Sequence, residues 1–157
     1  MTVFITDLAR IESPSSEPRA LQEILTWLQR QFTALGLYTI RIPGKTSGGY
    51  LYARPKKRYP HQPVQLLIGH CDTVWPLHTL REMPLLKTDG QLSGPGVYDM
   101  KAGIAQIFFA LRCLEDCRAD RIRAQLLCPV EGIDLVALGA SLLLRPRHDD
   151  PGNVGPE

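Results

Sequence analysis

Apolar residues recur along this chain with two different periods. In "SPSSEPRALQEILTWLQRQFTALG", Leu21, Ile24, Leu25, Leu28, Phe32 and Leu35 follow one another at helical spacing, which gathers side chains on one face. Cap-type serines precede the stripe and Gly36 ends it, so it predicts an amphipathic helix. A second stripe, Ile104, Ile107, Phe108, Leu111 and Leu114 in "KAGIAQIFFALRCLED", predicts another. The remaining apolar runs are short and β-type. "LYTIRI" and "GGYLYARP" read as strands joined by the turn "PGKTSG", and "RIRAQLLCPV" reads as a further strand. "LLKTDGQLSG" predicts a small hairpin turning at Asp89 and Gly90. "PVQLLIG" is almost continuously apolar, the pattern of a strand buried on both faces. Helices alternating with such strands predict an α/β fold, a three-layer sandwich with a mixed, largely parallel sheet.

Composition narrows what this fold serves. At 157 residues and 44% hydrophobic, the chain is long enough for one domain with a sizeable core. A formal charge of +2 with scattered basic residues argues against nucleic acid and against an anionic membrane surface. The short run Lys56, Lys57, Arg58 reads as a solvated turn. No apolar run is long enough to cross a bilayer, and the opening "MTVFITDLARIESPS" lacks the sections of a signal peptide. A cytoplasmic protein is expected. Cys71, Cys113, Cys117 and Cys128 form no CxxC pair and read as reduced thiols, with Cys71 turned into the core and Cys113 and Cys117 on one helical face.

In open α/β sheets, ligands collect at the carboxyl ends of strands. At one such end, "LLIGHCDTVWP" places His70 and Asp72 two residues apart. On extended backbone these point to the same side, so the carboxylate reaches the ring nitrogen that a metal leaves unused. Asp99 in "GPGVYDMKAG" enters the second predicted helix after a glycine-rich turn. Each has an ordinary alternative: a satisfied core histidine, a turn aspartate, a helix cap.

Taken together, "GHCDTVWPLHTL" and "MPLLKTDGQLSGPGVYDMKAGIAQIFFAL" resemble the zinc-dependent exopeptidases and deacylases that include glutamate carboxypeptidase, acetylornithine deacetylase, succinyl-diaminopimelate desuccinylase and aminoacylase. "DTVWP" and "GPG" are most similar to the glutamate carboxypeptidase branch, and the resemblance runs from about residue 7 to residue 129. It implies the first half of a zinc-exopeptidase catalytic domain, a dizinc hydrolase that cleaves an amide bond next to a free carboxylate in a small-molecule or dipeptide-like substrate. His70 would ligate one zinc, Asp72 would orient it, and Asp99 would bridge two zinc ions. The peptide bond after the bridging aspartate, here Asp99 to Met100, would be cis.

The family's next motif, a carboxylate base followed by an acidic ligand, falls on "LLCPVEGID". Glu131 matches the general base, but Gly132 stands where the ligand of the second zinc belongs and offers no donor atom. The later acidic ligand, the smaller inserted domain and the distant histidine have no counterpart, so at most one zinc is expected. Residues 1–144 read as a partial catalytic domain. Residues 145–157, "RPRHDDPGNVGPE", read as a flexible tail despite His148, Asp149 and Asp150. The expectation is a truncated or frame-shifted sequence, either a non-catalytic remnant or a part that self-associates or joins a separately encoded second half. Exposed apolar surface is expected where the far side of the sheet lacks cover.

Overall fold

A computed structural model describes residues 1–44, 47–57, 64–117 and 124–129. Two helices open the chain, α1 (Thr2–Arg10) and α2 (Pro18–Ala34), followed by strands β1 (Tyr38–Ile42), β2 (Tyr50–Arg54) and β3 (Gln65–Ile68). A short helix α3 (Thr79–Glu82), the hairpin β4 (Leu86–Thr88) and β5 (Gln91–Ser93), helix α4 (Ala102–Asp116) and strand β6 (Ala124–Pro129) complete it.

Helix α2 forms where the longer stripe predicts it, with proline in its first turn and Gly36 beyond its end at φ +89°. Its Leu21, Ile24, Leu25, Leu28 and Phe32 are all buried. They meet Leu51 and Ala53 of β2, Leu126 and Cys128 of β6, and Ile104, Phe108 and Leu111 of α4 in one core. Helix α1 has no counterpart in the sequence reading. It is held by Phe4, which stacks on Phe108 at 4.5 Å and meets Trp27 edge-on at 4.8 Å, and by Leu8, fully buried in the core. Full burial of a side chain such as Leu8 contributes about 1.5–3 kcal/mol, and the partly buried Phe4 adds its ring contacts.

The four-stranded sheet has the order β1-β2-β6-β3. It is mixed, as expected, but not largely parallel: β1 with β2 and β2 with β6 are antiparallel, and only β3 with β6 is parallel among the described pairings. Nor do the described residues make three layers. Helices α1, α2 and α4 share one core on one face, while the other face carries Tyr50 and Tyr52 packed with Ile40 and Ile42. Strand β3, predicted to be buried on both faces, is at an end of the sheet order, and its Leu66 and Ile68 are 46% and 48% exposed. The expected exposed apolar surface is found here. The parallel register brings the carboxyl ends of β3 and β6 to the same edge, and the polar motifs follow β3 directly.

Candidate metal centre

Beyond Ile68 the chain leaves the sheet through Gly69 and presents His70, Cys71 and Asp72 in turn. Cys71 is fully buried, as expected, while the His70 side chain is 38% exposed. The His70 ring is flanked by two carboxylates. Its Nε2 is 3.1 Å from Asp99 Oδ1, and its Nδ1 is 3.3 Å from Asp72 Oδ1 and 3.2 Å from the Asp72 carbonyl oxygen. His70, Asp72 and Asp99 therefore lie together at the carboxyl end of β3.

The two carboxylates differ in setting. Asp72 is 2% exposed and accepts a 2.6 Å hydrogen bond on Oδ2 from the Ser15 hydroxyl. The Asp99 side chain is 79% exposed, next to an almost fully exposed Tyr98. Asp99 sits on the turn Val97–Lys101, whose backbone departs from helical angles at Asp99 and Met100, and the Asp99–Met100 peptide bond is cis, as the resemblance implies.

Glycines shape this corner. The Met100 methyl lies 3.0 Å from where a Cβ on Gly69 would be, and equally close to one on Gly103. The two glycines thus form a slot for Met100, whose sulfur accepts the His70 backbone N–H at 3.4 Å. Gly96 has φ +71°, and a Cβ there would come within 2.5 Å of the Thr73 methyl.

Below the site runs the connector between α1 and α2, whose role the sequence reading missed. Thr73 donates its N–H to the Ser13 carbonyl at 2.8 Å, and Ser15 donates its N–H to the Thr73 carbonyl at 3.0 Å, a parallel bridge centred on Pro14 and Thr73. The buried Ser13 hydroxyl donates to the Cys71 carbonyl at 2.8 Å. Lys101, 1% exposed, donates its ammonium to the Ile11 carbonyl at 2.7 Å. Burial pulls its pKa down to about 8, opposed by the attraction of Cys71, Glu12 and Asp72. Glu12 accepts the backbone N–H groups of His78 and Leu80 at 2.7 and 2.9 Å, capping α3. Burial works to raise the Glu12 carboxyl, but those two amides, with the charges of His78 and Arg81, outweigh it and leave the group below its ordinary value. Serines and glutamate between two helices read locally as caps, and no sequence signal joins the serines to a strand end 57 and 58 residues away or the glutamate to α3, 66 and 68 residues away.

Zinc bonded to an imidazole nitrogen and a carboxylate oxygen at about 2.0–2.2 Å sets those two atoms a little over 3 Å apart, so the 3.1 Å between His70 Nε2 and Asp99 Oδ1 suits one shared ion. The donor types suit zinc, and Nδ1 faces the oxygens of Asp72 as a metal-bound imidazole requires. The set is short: among the described residues no three His, Cys, Asp or Glu side chains are grouped to hold an ion. Glu131 and Gly132, and with them the tail residues His148, Asp149 and Asp150, lie outside the described residues. All four cysteines are free, Cys71 and Cys128 buried and Cys113 and Cys117 exposed. No helix among the described residues is long and apolar enough to cross a membrane.

No protein-family model matches the sequence, and no curated protein matches it. Solved structures do match in fold. An M20 family metallo-carboxypeptidase from Sulfolobus solfataricus superposes with a TM-score of 0.73 at 16% identity, covering 92% of this chain and 35% of that one. An aminopeptidase from Bacillus cereus superposes at 0.67 with 22% identity, covering 88% and 38%, and human carnosine dipeptidase 1 at 0.66 with 16% identity, covering 82% and 31%. At these identities the likeness is one of fold, and the chain spans about a third of the length of the structures it matches.

Proposed function

We propose that this chain carries the zinc-binding first part of a metal-dependent hydrolase of the exopeptidase and deacylase type, acting on an amide bond next to a free carboxylate in a small-molecule or dipeptide-like substrate, in the cytoplasm. The observation that carries the reading is the convergence of His70 Nε2 and Asp99 Oδ1 with Asp72 behind the ring. The fold shared with metallo-carboxypeptidase, aminopeptidase and dipeptidase structures supports it. The finer placement near glutamate carboxypeptidases rests on "DTVWP" and "GPG" alone.

In this reading His70 and Asp99 hold the ion, Asp72 keeps the proton on Nδ1 so that the Nε2 lone pair points outward, and Glu131 takes a proton from the attacking water and returns it to the leaving amine. Zinc bound there supplies carbonyl polarisation and a water of lowered pKa. Two protein ligands are one fewer than the usual catalytic set. The described residues alone are therefore not expected to support turnover, and a working centre needs further ligands, which a second copy of the chain is one way to supply. The alternative, a non-catalytic remnant, is favoured by the same shortage of donors.

The test is metal analysis after dialysis against zinc, paired with an amine-release assay on acyl-amino acids and glutamyl peptides. At most one weakly held zinc is expected, abolished by His70→Gln or Asp99→Asn, with no hydrolysis. Gly132→Glu adds a ligand without restoring turnover. Two tightly held ions with chelator-sensitive hydrolysis would overturn the incomplete-site reading, and no zinc at all would leave the remnant.

A further inference from the structure

We propose that Ser15 is a positioning residue for His70, acting through Asp72. The inference builds on the metal-centre reading but starts from hydrogen bonds independent of it. In the Asp72 carboxylate, Oδ2 accepts the Ser15 hydroxyl at 2.6 Å, and Oδ1 faces His70 Nδ1 at 3.3 Å. The Ser15 bond is the shorter, within the range of strong hydroxyl-to-carboxylate bonds, so it sets the rotation of the carboxylate about its last torsion. That rotation decides whether Oδ1 points at the imidazole. Ser15 is in turn fixed by its own N–H on the Thr73 carbonyl, and its hydroxyl also lies 3.3 Å from that oxygen.

The chain of contact runs from the α1–α2 connector through Asp72 to His70 and ends at the ring nitrogen facing Asp99. In this proposal Oδ1 and the Asp72 carbonyl, both turned toward Nδ1, hold the ring proton there in competition with Asp99 Oδ1, which faces Nε2. Loss of the Ser15 hydroxyl lets the carboxylate rotate and mixes the two tautomers.

Ser13 provides the control within the same connector. Its hydroxyl bonds the Cys71 carbonyl and does not touch Asp72. The experiment records the imidazole nitrogen signals of His70 in the metal-free full chain, in mildly alkaline buffer and assigned with His70→Gln, and separately measures zinc affinity by competition with a chelating dye. Ser15→Ala is expected to shift His70 toward a mixed tautomer and to weaken zinc about tenfold, the lower end for a residue that orients a ligand. Ser15→Thr, which keeps the hydroxyl, restores both, and Ser13→Ala leaves both near wild type whatever it does to stability. A folded Ser15→Ala with wild-type His70 signals would overturn the proposal, as would Ser13→Ala moving them equally. A tautomer shift in a chain that binds no zinc would uphold the positioning role while the metal reading fell.

Discussion

Two carboxylates reach one imidazole here, and they are built in opposite ways. Asp72 lies on the floor of the site, closed off from water and tied by Ser15 into a connector that also holds Cys71 and Thr73. Asp99 stands on the rim, four-fifths exposed, carried by the backbone of a turn and touching the His70 ring. The difference separates two duties. On the proposed reading, the carboxylate that would take an ion is left in solvent, and the one that would aim the ring is buried and hydrogen-bonded.

The comparison is broken most directly by removing each carboxylate. Asp72→Ala takes a buried hydrogen-bonded group out of the core and is expected to cost about 2–4 kcal/mol of stability in urea denaturation. Asp99→Ala is expected to stay within about 0.5 kcal/mol while abolishing zinc binding. Equal losses would erase the distinction between floor and rim. Next in size is Gly96→Ala, where a positive φ and a close approach to the Thr73 methyl coincide. A loss of about 2 kcal/mol is expected there, with thermal unfolding as the measurement.

Gly69→Ala is milder. Its new methyl comes tight only against the flexible end of Met100, with Ile104 at ordinary contact distance, so a loss under about 1 kcal/mol is expected, with the sulfur contact to the His70 N–H disturbed before stability is. A backbone amide shift at His70 larger than at any residue of α2 would show it.

The smallest effect is acid dependence at Glu12. The folded-state carboxyl lies below its ordinary 4.5, so its contribution is present above that value and is lost as pH falls through the lowered one. The stability gap between wild type and Glu12→Gln is expected to close on acidification over that window. A gap that widens would reverse the sign of the shift.

Legibility followed locality. The stripes of α2 and α4, the β1–β2 pair and the Asp89–Gly90 turn are written in consecutive residues and were readable there, as was the pairing of His70 with Asp72. Sheet order is not local. "PVQLLIG" looks like a doubly buried strand because apolar content says nothing about how many neighbours a strand finds, and β3 found one among the described strands. Helix α1 escaped notice because Phe4 and Leu8 gain meaning only once Phe108 and Trp27 are set beside them. Ser13, Ser15 and Lys101 were hidden for the same reason: each bonds a partner between 57 and 90 residues away.

Those long spans also bear on the order in which the molecule assembles. Joining Ser15 to Asp72 closes a loop of 57 residues, whose entropy must be spent before that long-range contact repays the loss. Helix α2 and the β1–β2 pair draw on neighbours close in the chain and are able to form first. The clasp between connector and strand end is then expected to close after the rate-limiting step. In stopped-flow measurements, Ser13→Ala is accordingly expected to steepen the loss of the folded state by raising the unfolding rate while leaving the refolding rate almost untouched, so that the hold on the site is a matter of how slowly it lets go.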